Sequence, residues 1–424
     1  MKPVAILFSR YRAFKEEERL DLAPLTVVIG KNGGGKSVLM RLPALLAGGL
    51  TDIGSMPLDL SSGGIHHASR FEDLVHQRSA QPFMLGAEGR DSDGSLWTFR
   101  TTMRHVVETY SLAIEKFELL RNGEDTLRIT AASPEDVGKP DGNFEVWSSI
   151  STSVVKAPKW HGLFPVSLPG REDDEDLLIS VRGQFASAFG NPSYLGPFRS
   201  ESGTSGRVPR QGVSTLGARG ENALEILGDD ILRGDGELTQ AVANWFSTAL
   251  GSATVMKTEG GVPRLMVRDA NRNLEVELAE TGAGFSQILP VVVQVLGRLA
   301  GVFESAISIV EQPELHLHPG VHGEVADLVL LQTKQLPEVP YLVETHSEQF
   351  VTRLRRRVAE GEIEPDMIQI VSVWHRSDYA DPEETMRVIR IDKSGNTSSW
   401  PIGVFDEAFE DLVHIRQAGA ASGQ

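Results

Sequence analysis

The stretch VVIGKNGGGKSVLM, residues 27–40, restricts the fold of this 424-residue chain more than any other. Gly30, Lys31, Asn32, Gly33, Gly34, Gly35, Lys36 and Ser37 fit the spacing G-x-x-x-x-G-K-[ST]. An apolar run precedes them (residues 25–30, a strand), and an apolar helix is expected after them, from Lys36 through Ala47 with a candidate kink at Pro43. Glycines let the backbone curl so that consecutive N–H groups point into one concavity, and the helix N-terminus adds partial positive charge. In that geometry Lys36 reaches the β- and γ-phosphates of a nucleotide and Ser37 binds Mg²⁺. A chance glycine-rich turn would not place strand, loop and helix in register.

A metal-bound nucleotide needs an acid delivered by a second strand. SIVEQPELHLHP, residues 308–319, supplies the candidate: Ile307, Ile309 and Val310 read as a buried strand ending in Glu311, Gln312, Pro313 and Glu314. Glu311 then takes the metal side and Gln312 sits beside the attacking water. Gln312 is unexpected there, because an amide cannot accept a proton as a carboxylate does. It can still orient water, as the switch glutamine of small GTPases does. A solvated acidic turn would look the same in isolation.

Elsewhere the pattern is α/β. Residues 3–8 read as a strand and 83–128 as an antiparallel sheet, with Asn122-Gly123 as a hairpin turn. Residues 51–70 and 131–170 read as loops, 174–189 and 219–250 as helical, 200–212 as a mobile loop, and 253–279 as a hairpin. Helix 286–300, strand 306–310, helix 320–335, strand 340–344 and helix 347–359 alternate as a parallel α/β unit would. Two strands (368–374, 386–392) and an end helix near 405–417 follow.

Five stretches together resemble the ABC-type ATPases, specifically the prokaryotic SMC-like and OLD-like branch with the EQPELHLHP motif, of the defence-associated type. They are Gly30–Ser37, TGAGFSQ at 281–287, VEQPELHLHP at 310–319, ETHSEQF at 344–350, and SSWPIGVFDEAFEDL at 398–412. The resemblance implies an α/β P-loop NTPase of ABC/SMC-head type: a mixed sheet core, an antiparallel β subdomain and a helical lobe. It divides the chain into ATPase lobe I (1–170), an inserted helical/β lobe (171–280) and ATPase lobe II (281–424).

It further implies ATP and Mg²⁺ as cofactors and a head-to-tail dimer or higher oligomer, in which one copy's phosphate loop meets the other's signature segment. Gly282, Gly284, Ser286 and Gln287 would form that signature. The residues agree, since glycines before a helix opening at Ser286-Gln287 make an anion site, although a helix-capping turn needs the same glycines. His346 would sense the γ-phosphate, with Glu311 and Gln312 completing the catalytic set; a helix cap at Thr345 or Ser347 would account for that cluster as well. Gln77, in FEDLVHQRS at 71–79, is the candidate Q-loop metal contact, although an ordinary helix surface accounts for it as well; Arg199, in SYLGPFRS at 193–200, would face a phosphate or an acid, or is an ordinary loop arginine.

The formal charge of −17 argues against a general polyanion binder, so nucleic acid as a partner needs a local basic patch. TRLRRR (Arg353, Arg355–Arg357) is such a run, and in an acidic protein it also suits a solvated helix face. His316, His318 and His322 lack the partners of a zinc site. The chain has no cysteine and no uninterrupted apolar run of about 18 residues, so a cytoplasmic protein without membrane contact is expected. The span from Lys36 to Thr281 lacks heptads, and little chain follows residue 365 in which to fit a Toprim-type nuclease. A stand-alone ATPase head is therefore expected, slow to hydrolyse ATP, acting as a switch or scaffold for a separate effector (a nuclease or toxin) in anti-phage defence. The alternative is a DNA-repair or surveillance ATPase acting directly on DNA.

Overall fold

The computed structural model describes residues 1–51, 56–149, 151–200, 212–259, 262–269, 274–374, 385–400 and 404–405. The expected end helix near 405–417, most of the 398–412 motif and residues 201–211 lie outside them.

A six-stranded sheet forms the centre. Its strands are β1 (Leu25–Gly30), β2 (Pro192–Leu195), β3 (Ile307–Glu311), β4 (Tyr341–Glu344), β5 (Ile368–Val373) and β6 (Met386–Ile389), in the spatial order β2-β3-β4-β1-β5-β6. The first five run parallel and β6 pairs antiparallel with β5. Strands such as LTVVIG and ISIVE are apolar without alternation because both faces are covered. Alternate residues serve different cores. Val28, Ile309 and Leu342 pack on one side, and Val27, Val310 and Val343 on the other.

The helices α1 (Lys36–Thr51), α2 (Ala283–Leu299), α3 (His322–Gln335) and α4 (Glu348–Ala359) flank this sheet. Leu39, Leu42, Leu45 and Leu46 of α1 join the first core, whereas α2, α3 and α4 supply the second. Pro43 lies inside α1, which continues past it to Thr51.

The first core is closed by an antiparallel sheet of eight strands. In spatial order they are Thr152–Lys156, Asn143–Ser148, Glu124–Ala131, Ser111–Arg121, Leu96–Val106, Phe83–Arg90, Lys2–Ser9 and Glu18–Asp21. Phe99 packs on Phe164 and on Phe185 of the helix Glu172–Phe189, with ring centroids 4.7 and 4.8 Å apart. Asn122 and Gly123 both take positive φ in the turn joining two of these strands.

Three expectations need correction. Residues 131–170 are not loops throughout. Asn143–Ser148 and Thr152–Lys156 extend the large sheet, and Lys159–His161 pairs with Phe164–Ser167. The alternation of exposed and buried residues in NFEVWS is that of an outer strand with one wet face, broken up by the surrounding Gly, Pro and Ser. Residues 219–250 form two helices, Ala223–Arg233 and Glu237–Leu250, separated where Gly236 takes a left-handed conformation. The helix expected from 286 begins earlier, at Ala283. No helix among the described residues is long and apolar enough to cross a membrane.

Candidate functional site

The parallel strands β1, β3, β4 and β5 end side by side, which is where open α/β sheets bind ligands. Gly30 ends β1 at φ 144°, and a β-carbon there would stand 2.2 Å from the carbonyl oxygen of Val373 at the end of β5. Any side chain would push the loop off its neighbouring strand, so this position requires glycine. The loop's crown, Asn32 and Gly33, is exposed, while Gly34 and Lys36 are buried and Gly35 is partly buried. The Lys36 ammonium donates to the carbonyl oxygens of Gly30 and Lys31, at 2.8 Å each. Burial pushes its pKa down, and the Glu344 carboxylate opposes this.

Ser37, one residue into α1, donates from Oγ to Glu344 Oε2 at 3.2 Å. Glu344 is the last residue of β4 and lies in register with Glu311, the last residue of β3. Both side chains are almost fully buried, at 3% and 2% exposure. Tyr194 OH donates to Glu311 Oε1 at 2.5 Å, and Arg41 Nε lies 3.5 Å from the same oxygen. Burial raises the pKa of both acids. For Glu344, burial and then the nearby Glu311 push it to about 7, against the pull of Lys36 and Ser37.

Gln312, expected beside the attacking water, has φ 46°, in the left-handed region where a non-glycine residue is strained by about 1–3 kcal/mol. Its N–H donates to the Glu344 carbonyl at 2.7 Å, and its carbonyl accepts from Leu315 N at 3.1 Å and Arg199 Nη2 at 3.2 Å. His346 follows β4, with Nε2 3.8 Å from Glu344 Oε1. Its backbone N–H and the Thr345 hydroxyl both donate to Glu314 Oε1 at 2.8 Å. Glu314 thus fixes the backbone before α4, where the Ser347 hydroxyl caps the helix by accepting from Phe350 N. Burial, and secondarily Lys36, lower the His346 pKa, which keeps the imidazole neutral near pH 7.

The structure therefore brings together Lys36, Ser37, Glu311 and His346, with the Gln312 backbone bonded to the same strand end. Glu344 is the residue that the sequence reading missed. Its signal was present, since YLVE is another buried apolar run ending in an acid, the pattern that marked Glu311.

The remaining expected residues sit differently. Gln77 is exposed on a left-handed turn, and the adjacent His76 donates its N–H to the Arg10 carbonyl. Because α2 opens at Ala283, Gly284 lies in its first turn rather than before it, and Ser286 and Gln287 lie inside the helix rather than at its opening. Gly284 is a close-approach site, since a β-carbon there would be 2.8 Å from the His316 carbonyl oxygen. Ser286 Oγ donates to the Ala283 carbonyl. Gln287, expected among the nucleotide contacts, turns inward, and its amide pairs with the Arg199 backbone. Gly282 stands in open space. Arg199 donates to backbone carbonyl oxygens rather than to a carboxylate. In the basic run, Arg353 pairs with Glu324 and Asp327, Arg356 with Glu360, and Arg357 with Asp327 and Glu360. Arg355 donates to the Gly395 carbonyl. Arg353, Arg356 and Arg357 are thus paired with acids of the same chain. His322 Nδ1 is 2.8 Å from Ser347 Oγ, and His318 Nδ1 accepts from Gly320 N.

The raised pKa of Glu344 makes a stability prediction. Its extra proton stabilises the folded chain fully below the ordinary value of 4.5, and that contribution is lost as pH rises through about 7, at most about 3 kcal/mol. Glu344→Gln, which imitates the protonated acid, should match wild type in Tm near pH 4.5 and gain on it steadily toward pH 8 in Mg²⁺-free buffer. A Tm difference independent of pH would contradict this.

No family model and no curated protein matches the chain. Solved structures do. One is the SMC head bound to the C-winged helix domain of ScpA, at 12% identity and TM-score 0.51, covering 92% of this chain and 98% of that one. Others are the SMC head domain from Thermotoga maritima (9% identity, TM-score 0.42, covering 92% and 100%) and an SMC head with an extended coiled coil bound to the C-terminal domain of ScpA, derived from Pyrococcus furiosus (12%, TM-score 0.45, covering 98% and 100%). The fold is that of a P-loop NTPase of the ABC/SMC-head type, with a mixed central sheet, an antiparallel β subdomain and a helical lobe.

Proposed function

We propose that the chain binds ATP with Mg²⁺ and hydrolyses it slowly, as an ABC-type ATPase in which ATP-bound copies associate head to tail. The observation that carries this reading is the placement of Lys36 and Ser37 opposite Glu311 and Glu344 at the ends of adjoining parallel strands. The loop's N–H groups and the N-terminus of α1 would cradle the phosphates, and Lys36 would supply the fixed positive charge. The donor set suits Mg²⁺, because one hydroxyl and two carboxylates are hard oxygen ligands. Ser37, Glu311 and Glu344 would hold the ion, whose chemistry there is to neutralise charge on the β- and γ-phosphates. His346, neutral, would hydrogen-bond the γ-phosphate, and Gln312 would orient the attacking water. Residues 1–170 and 281–424 would act as the two ATPase lobes and 171–280 as the inserted lobe.

Gly33 at the loop crown and Gly282 at the start of α2 both face open space, as a second copy docking between them requires. The motif set at 281–287, 310–319 and 344–350 supports a nucleotide-dependent switch or scaffold for a separate effector in prokaryotic anti-phage defence. Sedimentation with and without Mg²⁺-ATP tests the association. A doubling of mass with ATP, reversed by ADP, is expected; a mass indifferent to nucleotide would contradict it.

A further inference from the structure

Arg199 is 3% exposed, yet the adjacent Phe198 is 75% exposed. The chain turns its arginine inward at that point, and the guanidinium reaches two separate parts of the candidate site. Nη2 donates to the carbonyl oxygens of Glu311 (2.7 Å) and Gln312 (3.2 Å), and Nη1 donates to that of Gln287 (3.2 Å). The Gln287 side chain returns the contact: its Oε1 accepts from Arg199 N at 3.1 Å and its Nε2 donates to Arg199 O at 3.2 Å. A second contact joins the same two parts, because Gly284, one turn earlier in α2, packs against the His316 carbonyl just beyond Gln312. Burial pushes the Arg199 pKa down to about 10, which leaves it charged at pH 7, and Glu314 and Glu311 favour that charge. The planar guanidinium reaches these carbonyls from two nitrogens held at a fixed separation, whereas an ammonium offers its three donors from a single atom.

We propose that Arg199 is a positioning residue that couples the first turns of α2 to the left-handed Gln312, so that engagement of residues 281–287 sets the geometry at the water-side position of the same chain. This rests on the ATPase reading above, and it assigns to residues 199 and 287 a coupling role rather than contact with the nucleotide.

The test uses the full chain and three variants: Arg199→Lys, Gln287→Ala and the double. ATP affinity, Tm and the single-turnover hydrolysis rate are measured for each. Gln287→Ala should lower the rate about tenfold and Arg199→Lys about a hundredfold, with ATP affinity within about threefold of wild type. The double variant should be no slower than Arg199→Lys alone, because both residues serve one linkage. A role in packing alone would lower Tm, affinity and rate together, and the rate losses would multiply. Either that pattern or a wild-type rate in Gln287→Ala would overturn the inference. If Arg199→Lys does not fold, Gln287→Ala decides. If the variants keep wild-type rates while wild type binds ATP, only this inference fails. If wild type does not bind ATP, the proposed function fails and takes this inference with it.

Discussion

Lys36→Ala should weaken ATP binding at least about a hundredfold, roughly 3 kcal/mol, and leave no measurable turnover. The ammonium is the charged group that the phosphate loop itself places at its floor, and only 4% of its surface is exposed. Its two contacts are with carbonyl oxygens of its own loop, so it is held where it is needed before any phosphate arrives. Alanine removes the charge and leaves those two acceptors without it. It also removes the cation that favours the ionised forms of Glu344 and opposes protonation of His346. The remaining N–H groups of the loop would still attract phosphate, which is why a residual weak affinity is expected rather than none. Titration of a fluorescent ATP analogue, with a thermal melt to show that the variant folds, checks this. Affinity within threefold of wild type in a folded variant would mean that the loop does not hold a nucleotide.

Gln312→Glu should raise the hydrolysis rate about a hundredfold, the usual contribution of a positioned general base. The position is favourable for one. The backbone there is fixed by three hydrogen bonds, from and to Glu344, Leu315 and Arg199, in a conformation that costs energy and persists because its surroundings over-determine it. A carboxylate at 312 would enter the vicinity of two buried acids, Glu311 and Glu344, and mutual repulsion would raise its pKa toward the range in which a base works at neutral pH. Glutamine avoids that third charge. ATP hydrolysis by wild type, Gln312→Glu and Gln312→Ala in parallel separates two roles for the native amide. A fast Glu variant identifies the amide as a brake. A slow wild-type rate that falls further in Gln312→Ala, with no gain in the Glu variant, identifies it as the group that orients water.

The sequence revealed the site where local pattern and chemistry coincide. Gly30–Ser37 and the strand end at Glu311 are contiguous runs whose spacing fixes their geometry, and both lie on the strand ends they were expected to occupy. Contacts set by register were not legible. Glu344 joins Ser37 and Glu311 because β4 pairs with both β1 and β3, and no local pattern gives that alignment. Tyr194 and Arg41 on Glu311, and Arg199 on Gln287, connect residues 88 or more positions apart or on different elements. The pairing of the Gln287 amide with the Arg199 backbone joins two distant segments, so the local pattern around Gln287 does not carry it. The strands at 143–167 are short and lie between turns, so each offers too few apolar positions to stand out from loop.

With Gln312 where a general base would stand, the proposed site should bind Mg²⁺-ATP firmly and hydrolyse it slowly. The direct measurement is the identity of nucleotide retained by the wild-type chain after brief incubation with radiolabelled ATP and Mg²⁺, followed by rapid filtration and chromatography over minutes. About one nucleotide per chain is expected, recovered chiefly as ATP at early times and converted to ADP much faster in Gln312→Glu. Recovery of no nucleotide, or of ADP alone at the first time point with wild type and Gln312→Glu indistinguishable, would contradict it.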